Sequence, residues 1–88
     1  MNINQNINSK IVTLSGYIRV QDRDKSGHVI QIALETDNME KLIIDNSEKG
    51  LSLFNYIDKR VLVIGTVFIQ DYIDDELIIV NKFNVIEH

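Results

Sequence analysis

The chain has 88 residues, with 13 acidic side chains against 9 basic ones, a formal net charge of −4, and no Pro, Cys or Trp. That length holds one small domain. Disulfides and Cys-based zinc sites are excluded, and no basic tail is present to hold the chain on nucleic acid or an acidic membrane. With 44% of residues hydrophobic and 25% charged, the composition supports a packed core rather than a disordered segment.

Residues 1–9 read as a flexible N-terminal arm. They are rich in Asn, whose side chain competes with regular structure for backbone hydrogen bonds. The arm lacks the apolar run of a signal peptide, and nothing approaches the length of a membrane span. A cytoplasmic protein is the expectation, to which the absence of Cys also conforms; a signal peptide already removed would leave the same picture. Residues 10–88 form the domain.

From Lys10 to Gln21, Val12, Leu14, Ile18 and Val20 share one parity, with Gly16 between them, while Thr13, Ser15, Tyr17 and Arg19 share the other. Period two over this length predicts a half-buried strand, and a Gly in its middle predicts a bend or bulge. Asp22 to Gly27 is a polar turn. A second strand runs from His28 to Thr36, with Ile30, Ile32 and Leu34 inward and Val29, Gln31, Ala33 and Glu35 outward. Asp37-Asn38 is the expected hairpin turn, both residues tolerating positive φ. The third strand runs from Met39 to Asp45, with Leu42 and Ile44 inward and Lys41 and Ile43 outward.

The period then changes. Leu51, Phe54 and Ile57 recur every three residues, with Leu53 beside them, which predicts a short helix lying on the sheet by that stripe. Asp45 to Ser47 offer caps, and Asp45 with Glu48 has capping-box spacing. Lys59 to Gln70 is a fourth strand, apolar on both parities, with Gly65 at its centre. Asp71 to Glu76 is an acidic hairpin loop, and Glu76 to Ile86 the fifth strand.

Three strands, a short helix and two further strands, with Gly16 and Gly65 where long strands must bend, resemble the OB-fold over residues 10–87. The segments that carry the resemblance are Val12-Thr13-Leu14-Ser15-Gly16-Tyr17-Ile18, Ile43-Ile44-Asp45-Asn46-Ser47, and Lys59-Arg60-Val61-Leu62-Val63-Ile64-Gly65-Thr66-Val67. The chain is similar to the small stand-alone bacterial OB-fold proteins, most of which have no assigned activity. Those proteins often carry Gly before the fourth strand; here Asp58 stands, a residue able to end a helix left-handed. The resemblance implies an all-β, five-stranded Greek-key barrel with one short helix between strands three and four. It also implies a ligand surface over strands two and three, flanked by the loops joining strands one–two and four–five.

On that surface parity places Tyr17, Arg19, Val29, Gln31, Lys41 and Ile43, with Ala33 among them. Arg23 and Lys25 lie in one flanking loop and Tyr72 in the other. An aromatic and cationic set is what a single-strand binder needs, but Asp22, Asp24 and the acidic loop flank the same groove and repel phosphate. Val29, Ile43 and Tyr72, as exposed apolar residues on an acidic chain, point instead to a protein partner. The expected function is therefore a non-catalytic binding module for a protein, with weak single-stranded DNA or RNA binding as the alternative. The chain is expected to be a monomer or weak homo-oligomer.

No cofactor, metal or catalytic residue is expected. His28 and His88 are the only imidazoles and have no triad or metal companion in sequence. Asp22-Arg23-Asp24-Lys25-Ser26-Gly27 matches the first half of a calcium loop, but Ala33 occupies the place of the closing carboxylate. A calcium-responsive domain is thus a remote third reading. The carboxylates of Asp71, Asp74, Asp75 and Glu76 read as a solvated loop that discourages edge pairing.

Overall fold

The computed structural model describes residues 8–69 and 76–86. Its elements are β1 (Asn8–Arg23), β2 (Val29–Thr36), β3 (Lys41–Ile44), the helix α1 (Glu48–Ser52) continuing as a 3-10 turn (Leu53–Tyr56), β4 (Arg60–Ile69) and β5 (Glu76–Val85). The strands close into a barrel in the order β1-β2-β3-β5-β4. All pairs are antiparallel except β3 with β5, a short parallel pairing from Leu42–Glu76 to Ile44–Ile78. Among the described residues no helix is long and apolar enough to cross a membrane.

Closure depends on β1, which begins at Asn8, two residues before the expected start, and runs for 16 residues. Its first part pairs with β4 and its last part with β2; Gly16 and Tyr17 pair with both. At that seam a side chain has no room. A Cβ on Gly16 would overlap the Glu35 carbonyl oxygen and lie 2.7 Å from the Thr36 Cα. Gly65 is tight for a related reason. A Cβ there would come within 2.6 Å of the Ile79 carbonyl oxygen, beside the bulge that Asn81 makes between the Ile64–Lys82 and Gly65–Val80 pairs. Both glycines are therefore structural, and Gly65 sits at a bulge, as the strand pattern predicts.

The interior is built from alternate positions. Ile18, Leu34 and Leu42 form one row across β1, β2 and β3, and Ile44 with Ile78 continues the next. Val61, Val63 and Val67 supply β4. The expected parity fails at two places. Ile30, expected inward, is 45% exposed, and Val29, expected outward, is half-buried against the core. The cause is a pair of register shifts: β1 has an extra residue between Val20 and Asp22, and β2 one between Gln31 and Val29. A one-residue slip exchanges the faces of a strand. Ala33 and Ile43 do point away from the interior cluster, but are buried all the same, at 0% and 8% exposure.

The helix also departs from expectation. Leu51 is exposed, while Leu53 is wholly buried in the core. Phe54 and Ile57 are only partly buried and pack against that core. The N-cap is Ser47, with no side-chain capping bond, so the Asp45–Glu48 capping box does not form. A single α-turn that tightens to 3-10 rotates the face that meets the barrel, since the two helices advance by different angles per residue. So short a helix has little stability of its own; Leu53 anchors it. Gly50 permits the approach, because a Cβ there would overlap the Asp45 carbonyl oxygen.

In the β2–β3 turn, Met39, not Asp37 or Asn38, takes the left-handed conformation, at φ 68°. The Met39 N–H donates to the Thr36 carbonyl at 2.9 Å and the Thr36 N–H to the Glu40 carbonyl at 2.8 Å. This is a three-residue loop whose third position must be left-handed, so the turn is one residue longer than expected.

Candidate functional site

The outward side of β1, β2 and β3 carries two cross-strand rows, Tyr17–Glu35–Lys41 and Arg19–Ala33–Ile43. Four of the expected site residues, Tyr17, Arg19, Lys41 and Ile43, thus share one face. Arg19 dominates its chemistry. The guanidinium lies 4.7 Å above the centre of the Tyr17 ring. Its Nε donates to Glu35 Oε1 at 3.2 Å and its Nη1 to Asp58 Oδ1 at 2.9 Å. Those hydrogen bonds, to Asp58 first and then Glu35, raise the Arg19 pKa above its ordinary value. The cation is permanent; its Nε and Nη1 are bonded to carboxylates, while the side chain stays 40% exposed.

Asp58 is placed by the backbone. It takes φ 67° after the 3-10 turn, the left-handed ending that the Asp in place of Gly leads one to expect. Its N–H donates to the Ile18 carbonyl at 2.7 Å, so the carboxylate is set down beside β1, within reach of Arg19.

A second ion pair closes the neighbouring corner. Arg60, opposite Tyr17 across the β1–β4 pair, donates from Nη2 to Asp37 Oδ2 at 2.7 Å, and the Ser15 hydroxyl donates to the same oxygen. Arg60 and then Ser15 hold the Asp37 carboxyl below its ordinary value of 3.8. The cluster ties β1, the β2–β3 turn and β4 together.

The flanking loop is self-contained. Asp24 Oδ1 accepts from the Ser26 and His28 N–H groups, both at 2.9 Å, and the His28 N–H is the largest cause of a lowered Asp24 pKa. Gly27 turns the chain at φ 90°. Arg23 folds onto its own loop, with Nη1 donating to the Gly27 carbonyl at 2.8 Å. Lys25 is exposed, and neither it nor Lys41 makes an ion pair with a described residue. Asp24 thus serves the turn itself, and among the described residues no group of three or more His, Cys, Asp or Glu side chains could hold a metal.

The other expected residues are scattered. Val29 packs on the core instead of offering an apolar surface. Gln31 is half-buried opposite Asp22, and Ile43 is buried. Tyr72 and the acidic loop, apart from Glu76, lie outside the described residues. The apolar contacts expected of this face are therefore absent among its described members. Sequence reasoning missed the partners Asp37, Asp58 and Arg60. Glu35 was on the outward parity, but Asp37 and Asp58 meet the face only through turns and Arg60 through the β1–β4 pairing, and no periodicity registers that.

A cleft of about 120 Å³ opens elsewhere, with Val12, Leu14, Leu42 and Val67 as apolar lining and Lys10, Glu40 and Glu76 as charged lining. Its volume admits a few waters or a small group. Protein-family models, curated protein sequences and solved structures were each compared with the chain, and none matches it.

Proposed function

We propose that the chain is a non-catalytic binding module on an OB-fold-like Greek-key barrel, and that its ligand on the β1–β2–β3 face is a protein. The barrel order and the helix between β3 and β4 support the fold label. The state of the arginines carries the ligand class. Arg19 is held by two carboxylates, Arg60 by a third, and Arg23 by a carbonyl of its own loop. A guanidinium holds phosphate best when it can turn its paired donors on the anion; here Nε and Nη1 of Arg19, Nη2 of Arg60 and Nη1 of Arg23 already hold neighbours. A face of fixed, alternating charges over half-buried Tyr17 favours a partner of complementary mixed charge, where such groups set register and specificity.

The alternative is a weak single-strand binder. It draws on Lys25 and Lys41, which have no described ion-pair partner, and on Tyr17, one face of whose ring Arg19 already covers.

Affinity capture from native cell extract, with and without nuclease, separates the two. The protein reading expects a stoichiometric partner that survives nuclease and is lost with the double substitution Glu35→Lys and Lys41→Glu. Capture that disappears with nuclease would favour the alternative.

A further inference from the structure

The opposite side of the barrel differs in kind. Cross-strand pairing sets three outward rows on β1, β4 and β5: Ser9–Phe68–Leu77, Ile11–Thr66–Ile79 and Thr13–Ile64–Lys82. Ile11 is 75% exposed, while Ile64, Phe68, Leu77 and Ile79 are half-buried. The nine positions include no carboxylate and one ammonium, Lys82, in a chain with 13 acidic residues. The next row begins at Ser15, where the Asp37 carboxylate is already matched by Arg60.

We propose that this face is a self-association surface that takes a second copy of the chain, giving a weak two-fold dimer. Charge selects the occupant. Two copies with a net charge of −4 repel, and a patch whose nine positions hold no carboxylate lets these strands meet without adding to that repulsion. A strongly charged partner would find no counter-charges here. An isologous contact must also complement itself. Hydroxyls both donate and accept, so Ser9, Thr13 and Thr66 can pair with their own copies, as carboxylates cannot. Area sets the strength. Three strands about 4.8 Å apart and three rows about 6.8 Å apart cover roughly 300 Å² of sheet, well below the ~800 Å² that each partner of a stable complex buries. The dissociation constant should lie on the order of 0.1–1 mM.

The test is sedimentation equilibrium of the purified chain from about 10 μM to 1 mM, a range that brackets the expected constant. The weight-average mass should rise from 10.1 kDa towards twice that value and no further. Ile11→Glu and Thr13→Glu, both at exposed positions, should each reduce association at least tenfold. Met39→Glu, which adds the same charge at a 79% exposed site off this face, should reduce it far less. A chain that stays monomeric at 1 mM would overturn the proposal, as would equal suppression by Met39→Glu. Binding of the monomer to neutral phosphatidylcholine vesicles, lost in Ile11→Glu, would assign the face to a lipid surface and overturn it too.

Discussion

The two sides of the barrel share β1 and little else. On the β1–β2–β3 side, Arg19 and Arg60 are paired with carboxylates, Arg23 is bonded to a loop carbonyl, and Arg19 is stacked on the Tyr17 ring. On the β1–β4–β5 side the outward rows are apolar and hydroxylated, with a single charge. A fold that can bind through a curved sheet face does not decide the ligand; the pairing state of the charges does more. Basic residues counted along a sequence overstate a cationic surface when each has a carboxylate waiting for it in the fold.

Gly16→Val should have the largest effect, because it breaks the strand on which both sides depend. The new side chain would be driven into the Glu35 and Thr36 backbone, which cannot rotate away. A loss of about 3 kcal/mol or more is expected in urea unfolding, and a circular dichroism spectrum and midpoint like the wild type's would contradict the seam. Leu53→Ala comes next. It should remove about 2–5 kcal/mol by leaving a cavity in the core, while Leu51→Ala at an exposed position should stay within about 0.5 kcal/mol. Equal losses from the two would mean that the helix is seated differently.

The corner where the two sides meet has a pH signature. The folded-state pKa of Asp37 is depressed, so its stabilisation is present above the ordinary carboxylate value and is lost as pH falls below that value, through the lowered one. Thermal melts between about pH 2 and 6 should therefore show wild type losing more of its midpoint on acidification than Asp37→Asn. Parallel curves for the two proteins would remove Asp37 from the account. Arg19→Ala should have the smallest effect on stability, since all its partners are solvent-accessible. It should lower the thermal midpoint less than Leu53→Ala does, and leave the concentration dependence of the mass untouched.

The strands, their order along the chain and both structural glycines were legible because period two and a mid-strand Gly are local signals. The register was not. The shifts at Val20–Asp22 and Asp22–Arg23 each rest on one extra residue that looks like its neighbours, and with the second Val29 and Ile30 exchange faces. Nor does alternation mark that Ala33 and Ile43 are buried despite their outward parity. Leu51 and Leu53 were misassigned for a different reason: a turn of five α-helical residues that tightens to 3-10 has no settled period. For the site, sequence placed Tyr17, Arg19 and Lys41 together, since they lie on strands of known parity. Asp58 and Asp37 enter from turns 39 and 22 residues away from their partners Arg19 and Ser15, beyond the reach of any motif.

The central claim is that Arg19 and Arg60 are held by carboxylates and Arg23 by a loop carbonyl, so that they turn on a phosphate only by giving up those bonds. Fluorescence anisotropy of labelled single-stranded DNA and RNA oligomers, titrated with the protein at rising salt, tests it directly. With Lys25, Lys41 and Arg23 as the cations of that face without a described carboxylate partner, the plot of log K against log salt should have a slope of about −2.1 or shallower. Asp58→Gly, which keeps the left-handed backbone available and releases one Arg19 contact, should strengthen that binding. Submicromolar affinity of the wild type near 0.15 M salt, abolished by Arg19→Ala with Lys41→Ala, would contradict the claim and make the face a nucleic-acid site.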